Sequence, residues 1–246
     1  MSELISTLLI FIVAILYSAV GHGGASGYIA ALSLMGIDSG IIKTTALLLN
    51  VFVSILAFVQ FKRSGYFRWN LFLYFIIGSV PMAYLGSGIH IDAILYKRML
   101  GVCLLFPILK LTGVLDNFEN KEKSTFSTLE IGFCIIIGGL IGFLSGLLGI
   151  GGGIILSPII LILGWANMKQ TAAVSSLFIF VNSLAGLINV FQKNIEINDQ
   201  MLSWIAAASI GGIVGSYFGS KLLNVKLLKY TLALVLFVAF LKLIFI

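Results

Sequence analysis

Gly21-His22-Gly23-Gly24-Ala25-Ser26-Gly27 and Gly149-Ile150-Gly151-Gly152-Gly153 interrupt an otherwise apolar chain at two places 128 residues apart. Each follows a hydrophobic run. Glycine holds a helix poorly, so the peptide groups of both stretches lose their helical partners. Lipid offers no hydrogen bonds in exchange, and such a break persists at membrane depth only where it is buried in protein or lines a polar cavity. Two breaks at matching places point to a transport site assembled from two related halves.

The membrane setting follows from what surrounds the breaks. Of 246 residues, 60% are hydrophobic and 10% charged, whereas soluble domains carry about 25% charged residues. The runs Leu4–Val20, Ile41–Phe61, Leu71–Leu85, Ile94–Leu115, Ile131–Leu148, Thr171–Phe191, Met201–Phe218 and Leu227–Ile246 each approach the roughly 20 residues that cross a bilayer as helix. Leu71–Leu85 is the shortest and has to borrow flanking residues. The first run has no Lys or Arg before it and no small-x-small cleavage site ahead of the glycines, so it reads as a transmembrane helix rather than a signal peptide. The expected fold is an all-α integral membrane protein with about eight transmembrane segments.

Net charge is +6, with the basic residues scattered through short loops. The densest group, Lys62, Arg63 and Arg68, is interleaved with Tyr66, Phe67 and Trp69; this is an interfacial anchor, not a nucleic-acid patch. Orientation stays open. Eight simple spans put eight Lys and Arg on one side and seven on the other, and the basic-free N-terminus conflicts with the Lys62–Arg68 cluster over which side is inside. Cys103 and Cys134 lie within apolar runs as small buried hydrophobes. Without a C-x-x-C pair, no metal framework is visible, and no motif asks for a cofactor.

The hydrophilic stretch 116–128 divides the chain into a first transmembrane repeat, 1–115, and a second, 129–246. Both halves carry the same features in the same order. A short apolar piece follows each break (Tyr28–Met35, Ile154–Leu163), ends at Gly36 or Gly164, and reads as a half-helix or re-entrant segment. Lys43-Thr44-Thr45-Ala46 then matches Lys169-Gln170-Thr171-Ala172 at the start of a long helix. Gly78, Met82 and Gly86 match Gly211, Gly215 and Gly219, a spacing that brings helix backbones close. Leu109-Lys110-Leu111 matches Leu241-Lys242-Leu243. Whether the repeats are parallel or inverted depends on how the short segments are counted.

A helix N-terminus at each break behaves like roughly half a positive charge and favours an anion. Glycines allow close approach to the peptide groups, so Gly23, Gly24, Gly151, Gly152 and Gly153 are expected to bind substrate. Side-chain donors follow on the next helices. Thr171, Ser175 and Asn182 share a face in the second half, with Ser176 beside them; in the first half Asn50 and Ser54 share a face, with Thr44 and Thr45 earlier. These groups are expected to line the site rather than only glue helices together. His22, joined by Ser26, is the ionisable side chain inside a break, suited to contacting the anion or carrying a coupling proton. Asp38, Asp92, Glu130, Glu196 and Asp199 fall in loops or at span ends, so a relay of paired carboxylates is not supported.

At these residues the chain resembles the TauE/SafE sulfite-exporter family, also called the toluene-sulfonate uptake permeases, over nearly its whole length. The specific element is Gly146-Leu147-Leu148-Gly149-Ile150-Gly151-Gly152-Gly153 leading to Pro158, then Thr171-Ala172-Ala173-Val174-Ser175-Ser176. The first half departs from the pattern, with Ala25 for the last glycine and Ala30 where the proline would stand. The resemblance implies a secondary transporter of a small sulfur-containing anion, such as sulfite or a sulfonate, in the bacterial inner membrane. Family members differ in substrate and direction. Proton coupling and a homodimer are both compatible with the sequence.

Two other readings share these residues. Gly24-Ala25-Ser26-Gly27 fits the Gly-x-Ser-Gly of intramembrane proteases, but the other histidine, His90, sits near a span end and the second break has no serine. A channel also uses helix ends and glycines; counterflow separates it from a carrier.

Overall fold

The computed structural model describes residues 2–37, 39–89, 126–192 and 199–221, with scattered positions between 91 and 109 and between 230 and 241. His90, Cys103, Lys110, Lys242, Asp38, Glu196, linker residues 116–125 and most of Ile94–Leu115 and Leu227–Ile246 lie outside the described residues. Among those described, the regular elements are all helices: α1 Ser2–Ala19, α2 Ala25–Leu34, α3 Ser39–Arg63, α4 Trp69–Gly88, α5 Thr128–Leu148, α6 Gly153–Ile162, α7 Met168–Phe191 and α8 Asp199–Lys221. The protein is an all-α, multi-pass membrane protein. Helices α3, α4, α5, α7 and α8 have the length and apolarity to cross a bilayer, and α4 does reach past Leu71–Leu85 at both ends. The two short pieces, α2 and α6, have 10 residues each, about 15 Å of helix.

Local chemistry sets the ends. Helix α5 opens on a capping box: the Glu130 N–H donates to Ser127 Oγ at 3.4 Å while Glu130 Oε2 accepts the Ser127 N–H at 2.9 Å. Asn167 and Gln170 do the same for α7 at 3.0 and 3.3 Å. Each box satisfies donors that the helix itself leaves free. Just beyond α2 and α6 stand Gly36 and Gly164, at φ 75° and 65°, the left-handed conformation that glycine adopts without strain.

Contacts fix the direction of every helix. Asn50 meets Ser183, Leu47 faces Gly186, and Phe61 packs on Ala172 and Ala173. Numbers rise along α3 as they fall along α7, so these two long helices are antiparallel. The glycine stripes lie where helix backbones touch. A Cβ on Gly138, Gly142 or Gly146 of α5 would run into the carbonyl of Phe75, Ser79 or Ala83 of α4; on Gly211, Gly215 or Gly219 of α8, into that of Phe11, Ile15 or Ala19 of α1. Helices α4 and α5 therefore run parallel, as do α8 and α1, and the pairing crosses between the halves. Lys43 donates to the Ser87 carbonyl (3.4 Å) and Lys169 to that of Ser220 (3.1 Å), each ammonium seated at the carbonyl end of α4 or α8 where the dipole favours a cation. Corresponding helices of the two halves thus run in opposite directions.

This arrangement removes the conflict over orientation. Helix α1 crosses beside α8, α2 doubles back so that Gly27 lies against Val13 and Tyr17, and α3 crosses again. The N-terminus and Lys43 share one face. Lys62, Arg63, Arg68, Lys169 and Lys221 lie at the other, where Lys62 sits over Phe58 and Trp69, and Lys169 over Tyr66. Among the described residues, the N-terminus and the Lys62–Arg68 cluster thus fall on opposite faces, because the half-helix α2 returns without crossing.

Candidate functional site

The two breaks come together at the middle of the α3–α7 crossing. A Cβ on Gly23 would collide with the Asn50 side-chain amide and Ile179 Cγ2; a Cβ on Gly151 would lie 2.6 Å from Asn50 Nδ2, 2.8 Å from Ile179 Cγ2 and 3.2 Å from Ser183 Oγ. Both glycines therefore press on the same two side chains, one from each long helix. Each break also reaches across to the opposite half, Gly21 against Ala172 on α7 and Gly149 against Lys43 on α3. From the centre α2 runs toward the Lys43 face. Helix α6 runs the other way, toward the loop where Arg68 donates to the Trp165 carbonyl. The N-termini of the two half-helices consequently face one another deep inside the protein.

Left-handed glycines make this possible. Gly24 and Gly152 are the N-cap residues, with φ 97° and 74°, and neither cap is closed by its own side chain. Asn50 does part of that work: Oδ1 accepts the Ala25 N–H at 3.0 Å and Nδ2 donates to Ser183 Oγ at 3.4 Å. The first N–H groups of a helix have no intrahelical acceptor, so both termini present donors and positive dipole ends to the same region.

Side chains of the second half complete one flank. Ser157 Oγ lies 3.0 Å from His22 Nε2 and 2.8 Å from Ser175 Oγ, tying the first break to α6 and α7. Five buried side-chain atoms make no hydrogen bond among the described residues: His22 Nδ1, Tyr28 OH, Thr45 Oγ1, Ser145 Oγ and Thr171 Oγ1. The rings and chains carrying two of the hydroxyls flank the breaks, Tyr28 beside Gly24 and Ser145 beside Gly152. Buried polar groups are usually paired; the unpaired hydroxyls of Tyr28 and Ser145 beside the breaks are ready donors.

Among the residues expected from sequence, the structure gathers His22, Gly23, Asn50, Gly151, Gly153 and Ser175, with Gly24 and Gly152 as the caps. Thr45 and Thr171, both buried, occupy matching places about 8 and 12 Å along their helices from Asn50 and Ile179, on opposite sides of the centre; Thr44 is beside Thr45. Three hydroxyl or amide groups point elsewhere. Ser26 pairs with Tyr17 OH at 2.9 Å, not with an imidazole. Ser176 donates to the Ala173 carbonyl at 2.9 Å. Asn182 accepts from Ser79 of α4 and donates to the Phe178 carbonyl at 2.8 Å, joining α7 to α4.

Three neighbours escaped the sequence reading. Ser183, not Asn182, faces the breaks, because adjacent residues on a helix point about 100° apart. Ser157 was visible just before Pro158, one turn into α6. Ile179 carries no chemical signal at all. Among the described residues no Asp, Glu, Lys or Arg is buried, and no group of His, Cys, Asp and Glu could hold a metal ion.

The chain matches the family "Sulfite exporter TauE/SafE" over residues 6–243. It is 34% identical over 233 residues to a probable membrane transporter protein, y4hK, of Sinorhizobium fredii, covering 95% of this chain and 94% of that one. YjnA of Bacillus subtilis, also a probable membrane transporter protein, is 28% identical over 249 residues, 93% of this chain and 94% of its own. MJ0441 of Methanocaldococcus jannaschii, described likewise, is 28% identical over 76% of this chain and 71% of its own. No solved structure matches significantly. With the match running through both breaks and nearly end to end, the chain belongs to the sulfite exporter TauE/SafE family of membrane transporters.

Proposed function

We propose that this protein is a secondary transporter of a small sulfur-containing oxyanion, of the sulfite or sulfonate class, held between the facing N-termini of α2 and α6. The carrying observation is that Gly23 and Gly151, from breaks in opposite halves, press on the same Asn50 and Ile179. Peptide N–H groups, dipole ends and unpaired hydroxyls would hold an oxyanion without a full countercharge. The opposed directions of the halves suit alternating access, one half rocking against the other about a fixed central site. The family name supports a sulfur oxyanion over other anions. The same residues do not support a serine protease, since Ser26 is engaged by Tyr17.

The test is thermal unfolding of purified protein against sulfite, thiosulfate, alkyl sulfonates, sulfate and chloride, followed by counterflow in proteoliposomes with whichever anions stabilise. A ligand at 100 times its Kd adds about 2.7 kcal/mol. Stabilisation by a sulfur oxyanion, with trans-stimulated exchange, is expected. Failure of all of them to stabilise or exchange would overturn the assignment, and flux without trans-stimulation would make the protein a channel.

A further inference from the structure

The geometry points to His22 as the proton-coupling residue of this transporter, taking one proton at Nδ1 for each anion carried; the inference rests on the anion-transport reading above.

The tautomer follows from counting hydrogens. Ser157 Oγ has one hydrogen and three neighbours. All three contacts are hydrogen bonds at once only if the Ser157 hydrogen goes to the Gly153 carbonyl, at 2.9 Å, which can only accept. Ser157 Oγ must then accept from Ser175 Oγ at 2.8 Å and from His22 Nε2 at 3.0 Å. Nε2 therefore carries the ring proton, and Nδ1 of the neutral imidazole is a bare lone pair. The residue is 9% exposed and Nδ1 makes no hydrogen bond among the described residues. Buried polar atoms are usually paired, and this one is left open to accept a proton beside the glycine breaks.

The surroundings decide when that acceptor fills. Buried ionisable side chains on the elements packed around the ring are Tyr17 of α1 and Tyr28 of α2, while α3, α6 and α7 present Asn50, Ser157 and Ser175, which do not titrate. With no buried carboxylate among the described residues, an imidazolium lacks a resident anionic partner and is costly at this depth. A bound monoanion supplies that partner. The anion in turn finds only partial positive charges at the helix ends. Each ligand thus makes the other's binding more favourable, a reciprocal coupling. The proton enters at Nδ1 from the side to which the site is open and leaves from Nδ1 on the other, so monoanion and proton cross together without net charge.

Proteoliposomes test this with the anion identified by counterflow. In the wild type, steady-state accumulation should rise about tenfold per unit of imposed pH difference and ignore a potassium–valinomycin potential. Accumulation that follows the potential and not the pH difference would overturn the proposal while leaving the anion site intact; absence of any exchange would instead sink the transport reading. His22→Gln keeps an N–H for Ser157 but has no titrating nitrogen. Whatever flux it retains should follow the potential, and a pH response of wild-type size there overturns the assignment. Ser157→Ala keeps the imidazole but frees its tautomer. It should remain coupled with a displaced pH profile, and a wild-type profile in that variant counts against the role given to Nδ1.

Discussion

Gly151→Ala, set beside Gly65→Ala, isolates what the centre of the protein demands of a glycine. Both residues have left-handed backbone, φ 73° and 81°, so a side chain at either costs about 1–2 kcal/mol in conformation. Their surroundings differ. Around Gly65 a Cβ would meet nothing within 4 Å, whereas at Gly151 it would lie 2.6 Å from Asn50 Nδ2 and 2.8 Å from Ile179 Cγ2. Asn50 cannot simply step aside, because its Oδ1 holds the Ala25 N–H at the start of α2. Overpacking of this kind costs about 1–3 kcal/mol, and a lost hydrogen bond to a buried donor about 1 kcal/mol more. Gly151→Ala should therefore be less stable than Gly65→Ala by about 2–4 kcal/mol. At about 2–4 °C per kcal/mol for a chain of this size, that separation is resolved by following tryptophan fluorescence during heating in detergent. Counterflow should fall sharply in Gly151→Ala and stay near wild type in Gly65→Ala. Equal melting shifts, or unchanged exchange by Gly151→Ala, would refute the claim that the two breaks are packed against a shared pair of side chains.

Two further outcomes are expected. Asn182→Ala and Ser79→Ala, measured singly and together, should show a coupling of about 0.6–1.7 kcal/mol, with the substrate affinity of the protein unmoved; a large loss of affinity on removing Asn182 would return it to the binding site. Under the positive-inside rule the face carrying Lys62, Arg63, Arg68, Lys169 and Lys221 is cytoplasmic. In a background lacking Cys103 and Cys134, Asn70→Cys should then react with an impermeant maleimide only from the cytoplasmic side and Glu3→Cys only from the opposite one. The reverse pattern would turn the molecule over.

Much of this architecture was legible in the chain because it follows from local constraints. Apolar runs of about 20 residues become helices in lipid, where a helix satisfies its backbone hydrogen bonds within the segment. Glycine runs mark where that cannot hold, and Gly36 and Gly164 mark where the short pieces stop. Even the stripes at Gly211, Gly215 and Gly219 announced close backbone contact, though not with which helix. Hydroxyl and amide groups were less legible. Asn182 and Ser183 are neighbours in sequence, yet one joins α7 to α4 and the other faces the breaks. The difference is one of helix rotation, which depends on what packs against α7 from every side.

The sequence by itself determined a helical membrane protein and its two glycine breaks, since these rest on composition, spacing and the hydrogen-bonding poverty of lipid. Only the tertiary structure decided that corresponding helices are opposed, that α2 and α6 aim their N-termini at one another, and that Asn50 and Ile179 stand between them. Those facts depend on contacts between residues more than a hundred positions apart, such as Asn50 with Ser183 and His22 with Ser157. A pattern of residue types along the chain carries the length and polarity of each helix. It carries no vector for the helix, and the candidate site is made of two such vectors meeting.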